Sequence, residues 1–199
     1  MTATAEELEL KDRLSLIETM IAEGRRTTES WGWTFVLWGV AYYVAFAWEA
    51  LGRTYLAWPV TMTVAFVLTA AIAAYKGHSQ PGTTKSRAIS SIWIATGISM
   101  FVLFMSLGSS GKLADYQIFV AIVAAMLGSA NAASGMTLKW KVQLGCALVW
   151  WAAAIFSCFG TVRQSSIALL VATFFCQIVF GGCMMIAEAR QRGKAANHA

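Results

Sequence analysis

The chain has 199 residues, of which 58% are hydrophobic and 13% are charged, and its formal net charge is +5. Soluble domains carry about 25% charged residues, so this composition excludes an ordinary water-soluble fold and favours a membrane protein. Six stretches of 19 to 24 residues contain no Asp, Glu, Lys or Arg: 30–48, 54–75, 88–111, 116–138, 142–162 and 164–187. Each is close to the roughly 20 apolar residues that a helix needs to cross the hydrocarbon layer.

These stretches predict an all-α fold in three parts. Residues 1–29 are predicted to form an amphipathic cytoplasmic helix, 30–188 a bundle of six transmembrane helices, and 189–199 a basic cytoplasmic tail. Helices are predicted because backbone polar groups in lipid must be satisfied within the chain. A transmembrane barrel would show segments of about ten residues with alternating polarity, and the sequence has none.

The basic residues divide unevenly between the two ends of the predicted spans. Twelve of the fifteen Lys and Arg lie on the side of the N-terminus, the 76–87 loop and the tail. The other side has only Arg53, Lys112 and Arg163. The positive-inside rule therefore predicts that both termini are cytoplasmic. This rule also explains the net positive charge of the chain. Membrane lipid is therefore a predicted partner, and no nucleic-acid partner is predicted.

An amphipathic helix is predicted at residues 4–29. Four of its apolar residues are spaced four, three and four apart and share one face: Leu10, Leu14, Ile17 and Ile21. Such a stripe can lie along the inner membrane surface, pack on the ends of the spans, or dock a protein. The rest of the helix surface is acidic up to Arg25, unlike the basic polar face of a helix that binds anionic lipid. We therefore hypothesise that the stripe docks a second copy, or a cytoplasmic or membrane protein.

Two runs carry a resemblance to known proteins: LIETMIAEGRR from Leu16 to Arg26 and WGWTFVLWG from Trp31 to Gly39. They resemble the start of a group of small uncharacterised bacterial polytopic membrane proteins. In that group an amphipathic N-terminal helix leads into an aromatic first span with a Leu-Trp-Gly motif. The resemblance covers about residues 14–48. It implies a location in the bacterial inner membrane, and it carries no activity or site residues.

Ionisable side chains are missing from the middle of the predicted spans. The acidic residues nearest to them, Glu49, Asp115 and Glu188, lie at span ends, and both histidines lie in a loop or the tail. Intramembrane ionisable residues are the usual carriers of proton transfer, ligand binding and catalysis in membrane proteins. The sequence therefore predicts no catalytic residue, cofactor or metal ligand. The four cysteines, all in the last two stretches, are interpreted as packing residues.

Neutral aromatic and amide side chains occupy the middle of the spans instead: Trp38, Tyr42, Asn131, Trp150, Trp151 and Gln177. These could line a small intramembrane pocket with a few polar contacts. Alternatively, they pack and form interhelical hydrogen bonds, which is the interpretation we favour. Trp48 and Trp58 flank the first outer turn and are interpreted as interface anchors.

The fourth stretch has the pattern of a packing helix. Ala124, Gly128 and Ala132 follow each other at intervals of four residues. Small residues at this spacing let helix backbones approach closely in lipid. We predict that this helix lies at the centre of the bundle, with a substrate path as the alternative.

Three kinds of function fit these observations. The missing catalytic groups and the N-terminal helix favour a non-enzymatic accessory, scaffolding or regulatory membrane protein that docks a partner. A small transporter or channel for a neutral or apolar solute is the alternative. A membrane enzyme would have to use interface groups such as Glu49, Asp115 or His78, which form no recognisable constellation.

Overall fold

The computed structural model describes residues 32–52, 54–77, 84–110 and 115–196, and no strand occurs among them. The helices are α1 Gly32–Ala50, α2 Thr54–Gly77, α3 Thr84–Ser109, α4 Tyr116–Leu138, α5 Lys141–Phe159, α6 Val162–Thr173 and α7 Phe180–Ala196. A π-helical segment, Phe174–Val179, joins α6 to α7, so these three form one continuous rod. The predicted N-terminal helix at 1–29 lies outside the described residues.

Five helical segments are long and apolar enough to cross a membrane: Leu56–Tyr75, Arg87–Leu107, Tyr116–Leu138, Lys141–Phe159 and Val162–Arg190. Each overlaps one of the uncharged stretches of the sequence, and together they define an all-helical, multi-pass membrane protein. Helix α1 overlaps the remaining stretch, 30–48, but is not among the five. Its tryptophans, its tyrosines and Glu49 carry polar atoms that lower its hydropathy.

The helices differ in how far the bundle covers them. In the most apolar 18-residue stretch of α4, 56% of the residues are buried, compared with 44% in the rod and 33% in α5. The corresponding shares are only 17% in α2 and 6% in α3. Helices α4 and α5 form the most extensive pair, α1 packs on α2 and on the rod, and α3 packs mainly on α4. The interior therefore lies between α1, α4, α5 and the rod.

Short turns with defined caps make neighbouring helices antiparallel. The Asp115 carboxylate accepts from the backbone N–H of Gln117 at 2.8 Å and caps the start of α4. Lys139 ends α4 in the left-handed conformation, with φ 53°. Thr161 and Gln164 form a capping box at the start of α6. These contacts satisfy backbone groups that the first and last helical turns leave unpaired.

The last helix extends past residue 188, where the predicted membrane domain ends, into the predicted basic tail. Helix α7 runs to Ala196, through most of the basic segment that was assigned to the tail. The sequence there is rich in Ala, Arg, Gln and Lys, which have high helix propensity. The helix therefore extends past the uncharged stretch by more than two turns.

Candidate functional site

Helix α1 contacts the rod through glycines. A Cβ atom on Gly181 would lie 2.7 Å from the carbonyl oxygen of Gly32, and one on Gly32 would lie 2.8 Å from the carbonyl oxygen of Gly181. Further along α1, a Cβ atom on Gly39 would lie 2.8 Å from a side-chain carbon of Ile178 and 3.2 Å from Cβ of Gln177. The two helices therefore approach each other closely enough to leave no room for a side chain at the first of these crossings.

The small residues of α4 lie in the bundle interior. Ala124 is fully buried, Ala132 is 5% exposed, and Gly128 is buried. A Cβ atom on Gly128 would lie 2.4 Å from the Trp151 ring of α5. The glycine therefore provides the space that the indole of the facing helix occupies.

An aromatic cluster joins four helices at the end of the bundle that contains the α1–α2 turn: Tyr42, Phe46, Trp58, Phe104, Tyr116 and Phe119. The Trp58 ring lies 5.3 Å from Phe46 and 5.3 Å from Phe119, centroid to centroid. Its indole N–H donates to the Glu49 carboxylate at 2.9 Å. The Trp58 ring, which the sequence predicts to be an interface anchor, therefore contacts side chains of both α1 and α4.

A second set of aromatic contacts lies near the opposite end. Phe35 packs edge to face on Trp93 of α3 at 5.3 Å and on Phe180 of α7 at 5.2 Å. The Trp140 ring, in the α4–α5 turn, lies 5.0 Å from the same Phe180. Aromatic side chains thus fill the interior near both ends of the bundle.

The six neutral residues singled out at mid-depth are distributed over several environments. Asn131, Trp150 and Gln177 are buried, with exposed fractions of 1%, 0% and 4%. Tyr42 is buried in the aromatic cluster, and Trp38 is half-buried beside the core. Trp151 is 38% exposed and packs on α4.

A group of interior side chains carries polar atoms without a hydrogen-bond partner. Among the described residues these atoms include Asn131 Oδ1, Ser134 Oγ, Gln143 Oε1, Trp150 Nε1, Thr173 Oγ1 and Gln177 Oε1. All six side chains are at most 4% exposed. The sequence analysis identified Asn131, Trp150 and Gln177 but missed Ser134, Gln143 and Thr173. Nothing in the sequence distinguishes these three residues, because only the folded bundle shows that they face other helices.

Two of the four cysteines, Cys146 and Cys176, are buried. The Cys176 thiol donates to the backbone carbonyl of Cys146 at 3.6 Å. Cys158 and Cys183 are exposed, and all four cysteines are free. The cysteine contact therefore joins α5 to the π-helical segment.

An open groove of about 520 Å³ lies on the outside of the α4–α5 pair. Its walls are mostly apolar and include Ile118, Ile122 and Ile155, and Asp115 lies at one end. None of the six neutral residues predicted at mid-depth lines it.

The interior of the described part of the chain contains uncharged polar side chains. No group of three or more His, Cys, Asp or Glu side chains that could hold a metal ion occurs there. The buried polar side chains of these residues are hydroxyls and amides, with no carboxylate, ammonium, guanidinium or imidazole among them. Such groups can form hydrogen bonds, but they cannot act as a general acid or base near neutral pH.

The fold is that of a helical membrane protein, and the buried polar groups of its described residues are uncharged. Comparison with protein-family models, with curated proteins and with solved structures gave no match. The predicted docking stripe of Leu10, Leu14, Ile17 and Ile21 lies outside the described residues.

Proposed function

We propose that the chain is a non-enzymatic membrane protein with an accessory, scaffolding or regulatory role, and that it docks a partner through its N-terminal helix. The observation that carries the proposal is the uncharged interior. Among the described residues, the buried side chains include no carboxylate, ammonium, guanidinium or imidazole, which are the groups that usually carry proton transfer and hydrolysis near neutral pH. Docking then rests on the segment that precedes α1.

The proposal includes six spans, with α1 as the first. Helix α1 has 19 residues and is therefore about 28 Å long, close to the roughly 30 Å hydrocarbon layer. It packs on α2 and on the rod, both of which contain segments apolar enough to span. The distribution of basic residues supports cytoplasmic termini. The resemblance at residues 14–48 supports the bacterial inner membrane.

The topology is tested with reporter fusions after Arg53, Lys85, Lys112 and Lys194. Paired reporters that are active on only one side of the membrane should place Lys85 and Lys194 inside and Arg53 and Lys112 outside. The expected result follows from the concentration of basic residues in the loops on one side. An external signal at Lys85 or Lys194 would contradict the proposed topology, in which both termini and the 76–87 loop are cytoplasmic.

Partner docking is tested in the full chain with Leu14→Ser and Ile17→Ser combined. Loss of the apolar stripe should abolish the cross-linked assembly in native membranes while the bundle keeps its melting temperature. The control combines Asp12→Ser and Glu23→Ser on the opposite helix face and should leave the assembly intact. Unchanged assembly together with a lower melting temperature would show that the stripe packs on its own bundle, which contradicts docking.

Transport of a small neutral solute is the second candidate, and one observation favours it. Asn131 of α4, Gln143 of α5 and Gln177 of the π-helical segment each have a buried amide oxygen with no hydrogen-bond partner within the protein. Solute sites in membrane proteins combine an apolar surround with a few polar groups in this way. Faster solute-driven swelling of proteoliposomes than of protein-free liposomes would favour transport over scaffolding.

A further inference from the structure

The open groove on the outside of the α4–α5 pair has the length of one membrane leaflet. Its lining on α4 runs from Asp115, directly before the helix, to Ala125. About ten residues of α-helix rise about 15 Å, which is half of the roughly 30 Å hydrocarbon layer. The groove volume of about 520 Å³ is typical of ligand sites. The groove therefore runs from the end of the bundle at the α5–α6 turn towards the middle of the membrane.

The lining of the groove combines small and branched apolar side chains. Its apolar α4 positions share one helix face, because they are spaced three, one and three residues apart: Ile118, Ala121, Ile122 and Ala125. On α5, Ala154 is buried, whereas the adjacent Ile155 is exposed. Alanines beside isoleucines leave a recess between the two helices, and its apolar lining suits a hydrocarbon chain.

A carboxylate occupies the polar end of the groove. The backbone N–H groups of Gln117 and Ile118 both donate to Asp115 Oδ1, at 2.8 and 3.4 Å. Neither bond involves Oδ2, and Asp115 is exposed, so this second oxygen is accessible from the lipid headgroup region. The Gln117 side-chain amide donates to the carbonyl oxygen of Gly160 and closes this end of the groove against the α5–α6 turn. The groove therefore offers a ligand a negatively charged acceptor at one end.

The charge of this end favours one kind of occupant. Anionic lipids are recognised by basic side chains, and none of the described residues that line the groove is Lys or Arg. A second copy in the membrane would share the topology of the first. A two-fold axis along the membrane normal would then bring the two Asp115 carboxylates to the same end, where they repel each other. A headgroup with an ammonium ion complements the carboxylate instead.

We propose that the groove binds a phospholipid with a primary ammonium headgroup, of the phosphatidylethanolamine type. One acyl chain lies along the alanines of α4, and the ammonium group donates to Asp115 Oδ2. A primary ammonium has three N–H donors, whereas the trimethylammonium of phosphatidylcholine has none. An exposed ion pair of this kind gives a preference of about two- to fivefold. This binding does not depend on whether the protein acts as a scaffold or as a transporter.

The direct test compares headgroups that differ only in N–H donors. The full chain in mild detergent is titrated with phosphatidylethanolamine, its N-methyl and N,N-dimethyl derivatives, and phosphatidylcholine, all with the same acyl chains. Native mass spectrometry gives the affinity for the first bound lipid. We expect this affinity to fall along the series, by about two- to fivefold between its ends. Equal affinities for phosphatidylethanolamine and phosphatidylcholine would overturn the proposal.

Asp115→Asn tests the carboxylate without removing the helix cap. Asparagine caps helices as well as aspartate does, so α4 keeps its start while the charge is lost. The preference for phosphatidylethanolamine should therefore disappear. The matched control is Glu49→Gln at the same end of the bundle, since glutamine can still accept from the Trp58 indole N–H. This control should keep the preference. A preference that survives Asp115→Asn would place the headgroup elsewhere and contradict the proposal.

Photo-cross-linking locates the acyl chain. Phosphatidylethanolamine with a diazirine in one acyl chain is added to the full chain in nanodiscs, and labelled peptides are mapped by mass spectrometry. We expect adducts at Ile118, Ile122 or Ile155, and Ala125→Leu should reduce them because its side chain fills the groove. Ala95→Leu on α3 is the matched control, since Ala95 is also exposed. Labelling of the groove that is unchanged in Ala125→Leu, or absent from the wild type, would overturn the proposal.

Cysteine cross-linking distinguishes lipid from a second copy. Cys158 lines the groove and is exposed, and Cys183→Ser removes the other exposed thiol. A membrane-permeant bis-maleimide should leave this variant monomeric in native membranes. A dimer linked through Cys158 that persists in excess phosphatidylethanolamine would show that a second copy occupies the groove, and the lipid proposal would then be wrong.

Discussion

Replacing Gly181 with alanine should lower the free energy of unfolding by about 2–3 kcal/mol, at the upper end of the range for overpacking. The added Cβ would lie 2.7 Å from the carbonyl oxygen of Gly32 and 2.9 Å from Cβ of Phe35. The first of these is a backbone atom, and the position of the second, a Cβ, is fixed by the backbone. Neither neighbour can therefore give way by rotating a side chain. Helix α1 would have to move away from the rod, and the contacts along its length would weaken together.

Two glycines serve as comparisons for this variant. Gly182 has no neighbouring atom within 4 Å of an added Cβ, so Gly182→Ala should be neutral, or stabilising by up to about 1 kcal/mol through helix propensity. At Gly128 the added Cβ would meet the Trp151 ring, which is 38% exposed and can move outwards. Gly128→Ala should therefore cost less than Gly181→Ala.

Thermal unfolding of the three variants in mild detergent checks this order. The expected order of melting temperatures, from lowest to highest, is Gly181→Ala, Gly128→Ala and Gly182→Ala. If Gly181→Ala melts with Gly182→Ala, α1 is not held against the rod at this crossing. The close approach of Gly32 and Gly181 would then have no energetic consequence, and the packing described for α1 would be wrong.

The spans could be predicted from the sequence because lipid imposes a strong and simple constraint. Charged side chains are excluded from the hydrocarbon layer, so gaps between charges mark helices. Five such segments are apolar enough to span. The exception is α1, where tyrosine, tryptophan and Glu49 lower the hydropathy. The proposal that α1 is a span is supported by its packing on α2 and the rod, which composition does not report.

Interior contacts were less predictable, since they depend on which helix faces pack against each other. The series Ala124, Gly128 and Ala132 stands out along one helix, and the sequence assigned it to packing. Gly32 and Gly181 are almost 150 residues apart, and nothing in the sequence pairs them. Thr173 is one of several hydroxyl residues in the spans, and most of these bond to their own helix, as Ser129 does with the carbonyl oxygen of Ala125. Only the packed bundle shows which hydroxyls remain unpaired.

Trp58→Ala should lower the free energy of unfolding by about 3–4 kcal/mol, within the range for removal of a large aromatic side chain from a packed interior. The indole makes edge-to-face contacts with Tyr42, Phe46 and Phe119 at centroid distances of 5.7, 5.3 and 5.3 Å. Contacts of this kind contribute about 0.5–1.5 kcal/mol each beyond the area that they bury. Only 17% of the residues in the most apolar 18-residue stretch of α2 are buried, so few other contacts of α2 can compensate for the loss of the indole.

Two further variants separate the ring contacts from the hydrogen bond. Trp58→Phe keeps an aromatic ring but removes the N–H that donates to Glu49, so it should cost about 1–2 kcal/mol. Phe66→Ala is the matched control on the same helix, because Phe66 is 57% exposed and faces away from the bundle. It should leave unfolding in detergent nearly unchanged. Chemical or thermal unfolding should therefore rank Trp58→Ala as the least stable and Phe66→Ala as the most stable. If Trp58→Ala instead unfolds with Phe66→Ala, the short turn to α1 is sufficient to hold α2, and the aromatic cluster contributes nothing to its attachment.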